Sequence, residues 1–275
     1  MQNFILRSLG RGLLAVSCLL SLGLGLGLGS VTHAQTPENT LRSTGPVTLV
    51  MSYYVSPANR LAWREEMQSN GLRQLQAWKE RGVFKNYRVL VSRHVDSGGW
   101  DTMTILTFGK ATDAAQWKKV EQTAPAGLSA KALGLAERIE TTPVDLVRSN
   151  NSTDDASNSV YLAIGYPSMG DTQDYLRHVD GYVVPQLDGL VSAQTLRKYR
   201  LYESRYAQGA GRPWATMALL QYKGDEGLAS SDAATATVRA RLQEQPAWKT
   251  LAEEVRKTGK DTPVQFVLAD QIALP

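Results

Sequence analysis

A chain of 275 residues with 30 Lys and Arg against 26 Asp and Glu carries a formal charge of +4. Without Arg7 and Arg11 the balance falls to 28 against 26, too small an excess for a polyanion binder, and no basic run is interleaved with aromatics; nucleic acid is excluded as a partner on that ground. The single cysteine, Cys18, lies near the start, so the rest of the chain has no disulfide, thiolate nucleophile or cysteine metal ligand.

The first segment has the three parts of a secretory signal. Arg7 and Arg11 give the positive start, Leu13 to Gly29 the apolar run, and Thr32-His33-Ala34 small residues for cleavage. The run is short of the ~20 residues of a spanning helix and is diluted with glycine. Residues 1–34 are therefore expected to be removed after Ala34, leaving a periplasmic or secreted protein with no membrane anchor. Residues 35–46 form a polar leader. A first unit over 47–148, a polar linker over 149–158 and a second unit over 159–275 follow.

Each unit predicts the order β-α-β-β-α-β. Val47 to Val55 and Val160 to Tyr166 are rich in β-branched and aromatic residues and open the units as strands. Trp63, Met67, Gly71, Leu75 and Trp78 then step by about four and share a helix face. Pro185 is expected to kink or break the corresponding helix of the second unit. Hairpins come next, then the second helices over "DAAQWKKVEQ" and "TATVRARLQEQPAWKTLAEEVRK". "TPVDLV" and "TPVQFV" are expected to close the units as matched strands 120 residues apart.

The hairpins spell the same pattern twice. Tyr87-Arg88, Ser92-Arg93 and Trp100-x-Thr102-Met103 recur as Tyr199-Arg200, Ser204-Arg205 and Trp214-x-Thr216-Met217. The spacing is 112 residues through the helix and second strand and 114 at the tryptophans, as a loop insertion would give. The order is that of a split β-α-β, ferredoxin-like unit. The chain resembles the dimeric α+β barrel superfamily, in which two such units pack sheet to sheet. The fold expected is thus α+β, two ferredoxin-like repeats forming an intrachain dimeric α+β barrel; two units side by side are the alternative. One chain would then hold both halves, so a monomer is expected.

Strand alternation assigns faces. Val89, Val91, Met103 and Ile105 are expected under the helices. Arg88, Leu90, Ser92, His94, Trp100, Thr102, Thr104 and Leu106, with Arg200, Tyr202, Ser204, Tyr206, Trp214, Thr216, Ala218 and Leu220, are expected between the sheets. From these Arg88, Ser92, His94, Trp100, Thr102, Arg200, Tyr202, Ser204, Trp214 and Thr216 are the ligand-binding candidates. A buried guanidinium needs partners, so such a face suits a pocket. His178 is the catalytic candidate. It lies in "DYLRHVDGYVVPQLDGL", where Tyr175, His178, Pro185 and Gly189-Leu190 are similar to the pattern of EthD-like barrel proteins.

No metal-ligand cluster and no glycine-rich phosphate loop is present in the sequence, and no cofactor is expected. The leading expectation is an exported protein binding a small, partly apolar molecule between its sheets. The alternatives are a barrel-type enzyme and a structural envelope protein. The resemblance implies two kinds of enzyme, cofactor-free monooxygenases and haem-dependent ones. For the latter His178 would be the axial ligand, with Arg200 polarising the bound oxidant.

Overall fold

The computed structural model describes residues 48–96, 98–150, 158–167, 172–205, 214–259 and 262–274. The signal, the leader, most of the linker and Tyr206 lie outside them. The first half runs β1 (Thr48–Val55), α1 (Arg60–Glu66), a π-helical turn (Met67–Gly71), α2 (Leu72–Glu80), β2 (Asn86–Ser92), β3 (Thr102–Thr107), α3 (Ala111–Glu121), α4 (Ala130–Leu135) and β4 (Ala136–Ser149). The second runs β5 (Val160–Tyr166), α5 (Thr172–His178), a π-helical turn (Val179–Val183), α6 (Val184–Ser192), β6 (Leu196–Ser204), β7 (Thr216–Tyr222), α7 (Gly224–Ala229), α8 (Ser231–Leu242), α9 (Pro246–Thr258) and β8 (Gln265–Ile272).

The eight strands close into an antiparallel barrel in the order β1-β3-β2-β8-β5-β7-β6-β4. Each half contributes four neighbouring strands in equivalent order, and β2·β8 and β4·β6 pairs join the halves. The fold is therefore mixed α+β around one closed barrel, and the side-by-side alternative is ruled out. An eight-stranded barrel has an interior just wide enough for side chains to fill. Val50, Leu90, Met103, Val144, Tyr202 and Leu219 are among those that fill it. Outside, β1 turns Leu49, Met51, Tyr53 and Val55 toward Trp63, Leu72 and Trp78 of the helices. Tyr199, Leu201, Ala218 and Leu220 meet Tyr175, Tyr182 and Trp248 in the other half. The repeated pattern thus serves three cores, one inside the barrel and one beneath each of the two helical layers.

The interruption expected at Pro185 takes the form of a π turn, with the proline in the first turn of α6 just beyond it. Proline is not its cause, because the first half has the same turn 112 residues earlier with no proline. The closing strands also differ from expectation. Ser92 pairs with Ala269 and Ser204 with Val144, so Val144 corresponds to Ala269 rather than to Val264. "TPVDLV" lies within the 14-residue β4, whereas the first residues of "TPVQFV" precede β8. Similar letters mark different places in the two halves.

Candidate functional site

Strand direction divides the barrel interior into two ends. At one lie the starts of β1, β2, β5 and β6 and the finishes of the other four strands. Arg88 and Arg200 enter the interior here, both half-buried. Arg88 Nη1 donates to the Tyr161 hydroxyl at 2.7 Å, and its guanidinium lies 5.2 Å from that ring's centroid. The Tyr161 hydroxyl in turn donates to Gln271 Oε1 at 2.8 Å. Tyr202 lies one layer deeper. Burial raises its hydroxyl above the ordinary tyrosine value, while the nearby Arg200 and Arg88 charges pull it down. The result is a cationic mouth with two phenols, backed by apolar Leu90 and Leu219. Such a mouth suits an oxyanion attached to an apolar body.

The opposite end is aromatic. Trp100 and Trp214 sit inside the barrel with Tyr54. The Tyr54 hydroxyl donates to Glu140 Oε2 at 2.8 Å beneath the Arg138 guanidinium, 3.7 Å from the ring centroid. Burial, the largest cause, pushes this hydroxyl up to about 12. Ser92 and Ser204 belong to this end as well. Arg88 and Ser92 are four residues apart on one strand, roughly 13 Å. The structure therefore brings together Arg88, Arg200 and Tyr202 from the expected set, and places the tryptophans and serines at the far end.

The face assignments on β3 and β7, and that of His94, are corrected. Thr102 points to the helices, where its Oγ1 accepts from Trp63 Nε1 at 2.8 Å. Thr216 does the same in the second half, hydrogen-bonded to the Tyr175 hydroxyl. Met103 and Ile105 face inward, while Leu106, Ala218 and Leu220 pack under the helices. Thr104 also faces the helices, beside Tyr53. The inversion arises just before β3 and β7, where Asp101 and Ala215 are held by equivalent backbone bonds: Asp101 to Tyr53 and Ser92, Ala215 to Tyr166 and Ser204. Asp101 also accepts from the Val55 amide at 2.8 Å and pairs with Arg60 at 3.0 Å. Trp100 and Thr102 do not share a face, although they are two residues apart, and neither do Trp214 and Thr216. His94 is likewise not inside: β2 ends at Ser92, and His94 is exposed, its carbonyl accepting from Arg60 Nη2 at 2.9 Å.

His178 lies in the outer helical layer. Its ring centroid is 5.2 Å from that of Tyr182, and it lines a crevice of about 10 Å³ against α9, between Arg177 and Leu251. That crevice has room for one water. Arg200 faces the barrel interior on the other side of the sheet. The two do not converge on one haem, and no step is routed through that group. Among the described residues no cluster of His, Cys, Asp and Glu has the makings of a metal site. No helix of the described residues is long and apolar enough to cross a membrane.

Glu66 occupies the place in α1 that His178 occupies in α5, immediately before the π turn. Its side chain is buried, and its carboxylate accepts from Ser129 Oγ at 2.8 Å and Asn70 Nδ2 at 3.0 Å, with Lys131 Nζ at 3.3 Å. The Ser129 and Asn70 hydrogen bonds, in that order, hold its carboxyl below the ordinary glutamate value. A depressed carboxyl stabilises the fold above the unfolded-state pKa, and that contribution is lost as pH falls through the folded-state value. Glu66→Gln is accordingly expected to cost about 1–3 kcal/mol at pH 7. It should also flatten the loss of stability below about pH 4.3. Urea unfolding at pH 7, 5, 4 and 3 checks this, and parallel acid limbs for both proteins would refute it.

Tyr161, Gln271 and the Arg60–Asp101 pair were not among the sequence candidates. Tyr161 was signalled in one respect: it opens the alternation Tyr161, Ala163, Gly165, a large polar-tipped residue followed by small ones on one face. Gln271 follows only from the pairing of β2 with β8.

No family model and no curated protein matches this chain. Solved structures share its fold. A candidate monooxygenase from Lactobacillus acidophilus NCFM superposes with a TM-score of 0.51 at 11% identity, covering 82% of this chain and 93% of the other. An anthrone oxidase-like protein gives 0.47 at 12% identity, covering 82% and 91%. A mutant chlorite dismutase from Candidatus Nitrospira defluvii gives 0.46 at 7%, covering 83% and 91%. At these identities the likeness is one of fold, and it accords with the dimeric α+β barrel resemblance. The expectation of a protein that only binds a small molecule in a pocket between its sheets is corrected. Side chains fill the interior between the ends, and the Lactobacillus acidophilus neighbour is described as a candidate monooxygenase.

Proposed function

We propose that the protein is a barrel-type enzyme whose site is the cationic end of the barrel. Its substrate is a small, partly apolar molecule that reacts as an oxyanion, and the reaction is a cofactor-free oxygenation. The observation that carries this reading is the Arg88 guanidinium held on Tyr161 at the end of the barrel where Arg200 also enters, with both charges acting on Tyr202. Two guanidiniums in a partly desolvated mouth stabilise an enolate or phenolate more than its neutral form, which makes the carbon acid easier to deprotonate. The carbanion then reduces O2. In the net reaction a methylene loses two hydrogens, one oxygen atom enters as a carbonyl and the other leaves as water.

The test is oxygen uptake with enolisable aryl ketones and naphthols, using 18O2 to follow incorporation. Arg88→Ala and Arg200→Ala are expected to lower the rate roughly 10- to 150-fold, as loss of a charge-assisted hydrogen bond worth about 1.5–3 kcal/mol would. Their thermal midpoints should stay near that of the parent, since both residues are only half-buried. Uptake indifferent to both arginines would sink the reading.

The same proposal includes an origin for the barrel as two ferredoxin-like repeats in one chain. It is supported by the π turns, which lie 112 residues apart, and by the matching contacts of Trp63 with Thr102 and of Tyr175 with Thr216. Trp63→Ala and Tyr175→Ala should then both destabilise the fold. A neutral Tyr175→Ala would count against equivalence.

A further inference from the structure

Gln221 completes the cationic end from β7. Its Cα pairs with that of Tyr161, and it continues the inward alternation of Met217 and Leu219. It is fully buried, at 0% exposure. Its Nε2 donates to Ser159 Oγ at 2.9 Å, which anchors the amide. Its Oε1 has no hydrogen-bond partner among the described residues. A buried carbonyl without a donor is costly, and a site that leaves one in place discriminates for a ligand that supplies the donor.

We propose that Gln221 is a specificity-determining residue of this site, its carbonyl accepting a hydrogen bond from a hydroxyl carried by the substrate beside the oxyanion. The proposal rests on the cationic end being the site, and it narrows the substrate class to enolisable or phenolic aromatics that carry a further hydroxyl, for which hydroxybenzoates serve as binding probes. Charge alone selects an anion, whereas the Gln221 carbonyl distinguishes a hydroxyl from a hydrogen or a methyl ether. The neighbouring apolar wall of Leu90 and Leu219 favours the aromatic body.

Calorimetric titration of the full chain with benzoate, the three monohydroxybenzoates and their methyl ethers tests this. At least one hydroxybenzoate is expected to bind tenfold or more tightly than both its ether and benzoate. Gln221→Met should erase that preference while changing benzoate affinity at most about twofold, since benzoate has no hydroxyl to offer. Gln221→Asn, which keeps the amide and withdraws it by a methylene, should also lose the preference; it serves if the methionine variant does not fold. A preference that survives both substitutions, or none in the parent, overturns the proposal. Benzoate binding that depends on Arg88 but shows no effect of Gln221 defeats this proposal alone. Benzoate binding that is absent, or indifferent to Arg88→Ala, defeats the site reading and this proposal with it.

Discussion

Asp101→Ala is expected to destabilise the protein by about 3–5 kcal/mol, because it strands a buried guanidinium. Arg60 is buried, and its Nε lies 3.0 Å from Asp101 Oδ1. Its Nη2 donates to the Ser92 and His94 carbonyls at 2.6 and 2.9 Å. Asp101 also accepts from the Val55 amide. The pair thereby ties the start of the first helix to the β2–β3 hairpin and to the end of β1. Burial is the largest cause of both shifts: it raises the Asp101 carboxyl and lowers the Arg60 guanidinium, and each partner only offsets the shift. Desolvation therefore outweighs attraction, and the pair as a whole is not a strong net stabiliser. The cost lies in removing one member. The double variant Arg60→Met/Asp101→Leu should be markedly less damaged than Asp101→Ala. Urea unfolding of the three proteins decides it, and a loss under about 1 kcal/mol for Asp101→Ala would show the pair to be effectively solvated.

Trp63→Ala should cost a similar amount, about 3–5 kcal/mol, through a different mechanism. The indole is completely buried, its ring centroid 5.3 Å from that of Tyr53, and its Nε1 donates to Thr102. Truncation leaves a cavity between α1 and the sheet and an unsatisfied Thr102 hydroxyl in the same place. Trp63→Phe keeps much of the volume and isolates the hydrogen bond, with an expected cost nearer 1–2 kcal/mol. Pairing it with Thr102→Val should recover part of that loss, since both polar partners are then gone. Thermal and urea midpoints of the series check the ordering. If Trp63→Phe proves as damaging as Trp63→Ala, the hydroxyl contact rather than packing dominates.

How much of this was legible beforehand differs from element to element. The helix stripe of Trp63, Met67, Leu75 and Trp78 was readable because a helix has one buried face and one wet one, so its period shows. β2 was readable too, since it begins exposed, passes through half-buried Tyr87 and Arg88 and only then sinks into the core. A guanidinium beside valines betrays the parity, and Arg88, Arg200 and Tyr202 do face inward as alternation required. In β3 and β7 the signal vanishes. Every residue from Thr102 to Leu106, and each from Thr216 to Tyr222, is buried. A strand with a packed barrel on one side and helices on the other has no solvent face, and its sequence has no period two to read.

The sequence by itself determined the order of elements, the repeated spelling of the hairpins, and the inward set on β2 and β6. Three matters were decided only in the tertiary structure. Trp100 and Thr102 part company, as do Trp214 and Thr216, where the backbone of the residue between them is held by strands remote in the chain, β1 and β2 at Asp101 and β5 and β6 at Ala215. Val144 answers to Ala269 because barrel closure fixes the stagger of β4 and β8 through pairings with β6 and β2, which neither strand encodes locally. And the arginines stand apart from the tryptophans because distance along a strand separates residues that share a face. Face is a local property of alternation; depth, stagger and partner belong to the closed sheet.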